Sequence, residues 1–264
     1  MRSTDKKIEQ VEVKKKLKRK TVKRYKKKVP HITTEEMIEV DRLMMEKYKI
    51  ELIQMMENAG RNLACLVSHE FLGNKIPGEY IIVLAGTGGN GGGAMVAARR
   101  LSAWGYNVKV CVTDKDNMTP VPGHQLDILQ NMGVKIVFLD QLPAKKDIAL
   151  VIDGIIGYSI IGDPIGLAAE MIHWANDQDA PIIALDAPSG IDLTEGIVYD
   201  PSIMAEATMT LALPKVGLFN PDVVPHRGKL YLADISVPPT LYTEPSLRIS
   251  VGNIFKKGEI LRLE

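Results

Sequence analysis

From Thr33 onward the apolar positions of this chain alternate between steps of three or four residues and short unbroken runs, and the alternation lays out its elements. Thr33-Thr34-Glu35-Glu36 offers a capping hydroxyl and first-turn carboxylates, and Met37, Val40 and Met44 follow at helical spacing, so a helix begins there. Leu52, Met55, Met56, Ala59, Leu63 and Leu66 predict a second helix over Glu51–Phe71, with its methionines as core filler. Ile81–Leu84 is an unbroken apolar run, which suits a strand covered on both faces. It turns through glycines into Met95–Leu101, a helical stretch. Beyond it come a strand at Val108–Thr113, a helix at His124–Met132 and strands at Val134–Leu139 and Ile148–Ile152. A helix at Ala168–Asn176 and a strand at Pro181–Leu185 follow, with late strands at Thr208–Leu213 and Lys229–Ala233. Strands alternating with helices predict an α/β fold, an open and mainly parallel sheet with helices on both faces in three layers.

Composition divides the chain at Pro30. The 264 residues are 45% hydrophobic, enough for one α/β domain over 30–264. The net charge of +1 hides an asymmetry, because residues 1–28 carry fourteen Lys/Arg against three Asp/Glu and the remainder is acidic. Residues 1–29 therefore read as a basic, disordered tail. Such a tail attracts nucleic acid, another anionic partner or a targeting receptor, or else serves as a solvated extension; composition leaves these open. No apolar run approaches the ~20 residues of a membrane span, and no apolar segment follows the basic start as a signal peptide requires. The expectation is a soluble, cytoplasmic protein. Cys65 and Cys111, the two cysteines, lie in apolar segments and read as small core residues.

Candidate chemistry collects at strand ends. Six glycines fall within Gly86–Gly93, more than a tight turn requires, and the helix after them aims its first N–H groups back into the loop. That arrangement binds phosphate. The strand at 148–152 ends in Asp153-Gly154-Ile155-Ile156-Gly157, and the strand at 181–185 ends in Asp186-Ala187-Pro188-Ser189-Gly190. Either aspartate alone can cap the following turn; beside a glycine loop, two of them predict a ligand site. Gly86, Gly88 and Gly91 also satisfy G-x-G-x-x-G, with Asp114 placed as a ribose-binding acid, which keeps an NAD(P)-dependent oxidoreductase open.

The fuller strings carry a resemblance. GTGGNGGGAMVAARRL resembles the glycine loop of the NAD(P)H-hydrate epimerase family, the YjeF N-terminal domain, whose usual form is G-P-G-N-N-G-G-D-G. VIDGIIGYSIIGDPIG, ALDAPSGID, TMTLALPKVGL and GKLYLADISVP are similar to its later motifs, in order from about Ile32 to Pro239. The resemblance implies a Rossmann-like, doubly wound fold and epimerisation at C6 of hydrated NADH or NADPH between S and R forms. It further implies a bound potassium ion held by Asn90, Asp153 and Ser189. Substrate contacts would come from Gly89, Asn90, Gly91, Gly92 and Gly93, from Gly157, Tyr158, Ser159, Ile160, Ile161, Gly162 and Asp163, and from Asp186. Asp153 is the expected catalytic acid/base, and Lys215 a partner for substrate phosphate or for Asp186. A homodimer is expected, and dehydration would fall to a separate NAD(P)H-hydrate dehydratase. Two departures stand in the loop, Gly89 for the family's Asn and Gly93 for its Asp. They keep a non-catalytic nucleotide- or RNA-binding module as an alternative.

Overall fold

The structure, a computed structural model, describes residues 22–73 and 78–264. Among them eight strands form one sheet: β1 (Tyr80–Ala85), β2 (Val108–Val112), β3 (Lys135–Val137), β4 (Ile148–Gly154), β5 (Ile182–Leu185), β6 (Ala207–Leu211), β7 (Lys229–Ala233) and β8 (Ile260–Arg262). Their order is β3-β2-β1-β4-β5-β6-β7-β8, parallel except for the antiparallel edge pair β7–β8. The parallel part agrees with expectation. β8 is additional, three residues of which only Leu261 is buried, too short for a periodic signal.

Within the unbroken run of β1 the side chains still alternate. Ile81, Val83 and Ala85 pack in one cluster with α2 (Leu52–Leu66), α3 (Gly89–Ala103) and α4 (Pro120–Asn131), while Ile82 and Leu84 face α5 (Gly166–Asn176). Two-sided cover is why no polar position interrupts the strand. α2 runs on into a π-helical turn, Val67–Phe71, so the two together fill the predicted helix. α4 starts at Pro120, earlier than its apolar periodicity, because proline tolerates the first helical position. Cys111 is buried and Cys65 half-buried, both as free thiols. No described helix is long and apolar enough to cross a membrane.

α1 (Thr34–Glu46) opens with a capping box, in which Thr33 Oγ1 accepts from Glu36 N at 3.2 Å and Glu36 Oε2 accepts from Thr33 N at 2.8 Å. Its buried face packs with Leu232, Ile235, Leu241 and Tyr242 beyond the central strands. Within the stretch expected as a tail, residues 22–29 touch the domain. Tyr25 N–H donates to Arg262 O at 2.7 Å, Val22 N–H donates to Glu70 Oε1 at 2.6 Å, and Val29 is buried. Val22, Tyr25 and Val29 are apolar residues spaced among the lysines, and they anchor what composition assigns to solvent. Residues 1–21 of the basic stretch lie outside the described residues.

The order of strands matters for the site. The chain leaves β1 for β2 and β3, then returns to β4 on the other side of β1, so the connections after β1 and β4 part at their carboxyl ends. A crevice opens there.

Candidate active site

A cavity of about 610 Å³ occupies that crevice, a size suited to a nucleotide-scale ligand. One wall is the loop from β1 into α3. Gly86 and Gly91 must lack side chains: a Cβ on Gly86 would lie 1.9 Å from Ile155 O, and one on Gly91 would lie 1.9 Å from Gly86 O. The first N–H bonded inside α3 is that of Gly92, to Gly88 O, so the N–H groups of Gly89, Asn90 and Gly91 have no helical partner. They lie on the cavity wall at the positive end of the helix dipole, where a diphosphate would be held. Gly92 turns away, against the sulfur of Met56.

The opposite wall is apolar. Met37, Leu52, Met55, Met56 and Ala59 line it from α1 and α2. The methionines expected as core filler thus serve partly as cavity wall.

Asp153 and Asp186 close the floor in different ways. Asp153, fully buried, accepts from Ser189 Oγ at 2.6 Å and Ile155 N at 3.1 Å through Oδ1, and from Ser189 N at 2.8 Å through Oδ2. Burial raises its pKa to about 6 against those hydrogen bonds, which pull it down. It does not line the cavity. Asp186 does, from a backbone at φ 63° around which Ala187 N–H donates to Leu185 O at 2.8 Å. A γ-turn of this hand is strained by about 1–3 kcal/mol, and it swings the carboxylate over the end of the sheet. Asp186 Oδ1 accepts from Lys215 Nζ at 2.5 Å, from Leu211 N at 3.0 Å and from Thr210 Oγ1 at 3.2 Å. Lys215 is itself fully buried, so its pairing with Asp186 follows expectation and a direct reach to substrate phosphate does not. A proton donor must come within hydrogen-bond reach of its substrate, and the carboxylates that line the cavity are Asp41 and Asp186, not Asp153.

The 155–163 loop divides. Gly157, Tyr158 and Ser159 line the cavity, and Tyr158 Oη donates to Asp41 Oδ2 at 2.7 Å. Ile160, Gly162 and Asp163 do not, Ile161 is 96% exposed, and Asp163 Oδ1 accepts from Asp200 N, so this half turns outward. Asp114, the ribose acid of the oxidoreductase reading, is consumed by its own turn: Asp116 N, Asn117 N and Asn117 Nδ2 all donate to it. Sequence reasoning misses Asp41, although Met37, Val40 and Met44 mark a buried stripe in which position 41 also falls.

The donors expected for potassium converge behind the glycine loop. Asn90 Nδ2 donates to Ile156 O at 3.1 Å, and Ile156 N–H donates to Ser189 Oγ at 2.8 Å, which ties Asn90 to Ser189 and Asp153. The set is carboxylate, amide, hydroxyl and carbonyl oxygen, and its carboxylate is paired with neutral donors alone. Those residues fit a hard, weakly bound cation.

The residue pattern and the relatives agree. The family described as YjeF-related protein N-terminus matches residues 52–217, more than half of the chain. This chain belongs to that family. It is 41% identical over 233 residues to the NAD(P)H-hydrate epimerase of Dehalogenimonas lykanthroporepellens, covering 88% of this chain and 92% of the relative. It is 33% identical to the NAD(P)H-hydrate epimerase of Lentilactobacillus buchneri, covering 78% and 94%. A bifunctional NAD(P)H-hydrate repair enzyme of Moorella thermoacetica is 34% identical over 80% of this chain, which spans 41% of that relative. Among solved structures the yeast protein ynu0 superposes with a TM-score of 0.77 at 23% identity, over 89% of this chain and all of the other, and shares the fold.

Proposed function

We propose that this chain is an NAD(P)H-hydrate epimerase, interconverting the S and R forms of hydrated NADH or NADPH. The observation that carries the reading is the placement of Asp186: a carboxylate bonded to a buried lysine, aimed into a cavity whose other end is a glycine-rich helix N-terminus. The loop N–H groups would hold the diphosphate, and the methionine wall would cover the reduced ring. Epimerisation then proceeds by protonation of the C6 hydroxyl and cleavage of the C6–O bond. The lone pair of the ring nitrogen becomes the second bond of C6=N1, and a water adds to the other face and releases its proton. Asp186 is the group placed to move a proton at C6. Asp153, with Ser189 and Asn90, is a positioning group that fixes the 155–158 loop and would hold a potassium ion, whose charge would support the diphosphate and the strand end.

The test is recovery of NADH. Given the R form of hydrated NADH and an S-specific dehydratase, the protein accelerates recovery if it epimerises. Unchanged recovery together with tight, salt-sensitive RNA binding would establish the binding-module alternative instead.

A further inference from the structure

Asp41 is half-buried on α1, four residues after Met37 and three before Met44, on the face that carries both. Its carboxylate lines the cavity, accepts from the Tyr158 phenol at 2.7 Å and faces the Asp186–Lys215 pair across the same space. Lys215 is committed to Asp186 at 2.5 Å, and its Nζ stands 5.8 Å from the centre of the Tyr158 ring. The site therefore holds two carboxylates and one ammonium, contributed by α1, the β5 end and the segment after β6.

We propose that Asp41 is a second acid–base group of this site, donating the proton that lets the C6 hydroxyl leave as water while Asp186 accepts the proton of the water that adds. The inference rests on the epimerase reading above. An inversion through C–O cleavage gives one proton and takes one, and a lone carboxylate would have to serve both ring faces. Burial raises the proton affinity of Asp41, with Asp186 adding to it and the Tyr158 hydrogen bond and Lys215 opposing. Two carboxylates in unlike surroundings are the arrangement that separates acid from base. In the forward step the Asp41 proton goes to the hydroxyl oxygen, the C6–O pair departs with the water formed, and the ring nitrogen supplies the pair for C6=N1. The incoming water bonds to C6, the C=N pair returns to nitrogen, and the released proton goes to Asp186. Before the next turnover Asp186 gives up that proton and Asp41 takes one by exchange with water in the cavity both line, so one-way turnover repeats.

The experiment is kinetic, on the full chain, with each epimer of hydrated NADH as substrate. Wild-type turnover comes first; its absence would overturn the epimerase reading itself. Given turnover, Asp41→Asn keeps an acceptor for the Tyr158 hydroxyl, so the loop stays anchored. It is expected to lower kcat by about 100-fold or more with KM changed less than about threefold. It should also erase the fall in rate expected of wild type as pH rises and Asp41 loses its proton. Asp41→Glu, which retains a carboxyl, recovers part of the rate. Tyr158→Phe, which removes the anchor but keeps the carboxyl, chiefly raises KM. If folded Asp41→Asn keeps kcat within about twofold and the same pH profile, or if its loss falls on KM alone as in Tyr158→Phe, the proposal is overturned.

Discussion

Asp153 and Asp186 sit at the ends of neighbouring parallel strands, offset by two residues in register, since Asp153 lies beside Ala184. In sequence they look alike, an aspartate closing an apolar run and followed by a small residue. In the structure the first is surrounded by neutral donors from Ser189 and Ile155 and is shut off from the cavity. The second is bent over the sheet end by a strained turn, bonded to an ammonium and open to the ligand space. A carboxylate satisfied by neutral hydrogen bonds holds its loop and has room for a cation. One bonded to a buried lysine is held facing the cavity. In the proposed reaction, partner chemistry is what separates the positioning role of Asp153 from the proton-transfer role of Asp186.

The sharpest way to break this contrast is to remove the cation on the Asp186 side. Lys215→Met leaves a buried carboxylate unpaired and is expected to lower stability by about 3–5 kcal/mol. It should abolish turnover as well, checked by denaturant unfolding and the coupled assay. On the Asp153 side the expected signature is pH dependence. The folded protein holds that proton up to about pH 6, whereas the unfolded chain releases it near 3.8. The contribution is therefore fully present below about pH 4 and is lost as pH rises through 6, by about 3 kcal/mol. Asp153→Asn should flatten the stability profile across that window.

Potassium sharpens the same point with a smaller effect. A cation beside Asp153 favours the ionised form, so potassium chloride against tetramethylammonium chloride should raise Tm by a few degrees at pH 7 and by less at pH 5. Equal shifts at both pH values would place the ion elsewhere. The smallest effect belongs to the glycine loop. A Cβ on Gly89 meets nothing within 4 Å, so Gly89→Asn should change stability by no more than about 0.5 kcal/mol in thermal melts. The site at Gly93 is tighter: a Cβ there would lie 2.8 Å from Leu185 Cδ2, so an aspartate must displace the leucine end.

The parallel sheet and its helices are legible because two-sided cover leaves unbroken apolar runs such as Ile81–Leu84, and one-sided cover leaves a stripe such as Met37, Val40 and Met44. The glycine loop is legible because glycines at 86 and 91 are demanded by backbone contacts. What sequence does not show is direction. Whether Asp153 or Asp186 faces the ligand depends on one positive φ and on a lysine buried 29 residues further along. Asp41 is legible in principle, as a charge inside an apolar stripe, but a stripe read only for its hydrophobic members hides it. Half of the 157–163 loop falls to the substrate site by resemblance alone, and Ile161 and Asp163 turn out toward solvent.

The most direct test sets the two strand-end aspartates side by side in the coupled NADH-recovery assay, as Asp186→Asn and Asp153→Asn, at saturating potassium. Asp186→Asn is expected to lose about 100-fold or more of kcat while still binding hydrated NADH, and Asp153→Asn to lose less and through weakened binding. The opposite order, with Asp153→Asn losing kcat at unchanged binding and Asp186→Asn still turning over, would make Asp153 the proton-transfer group instead.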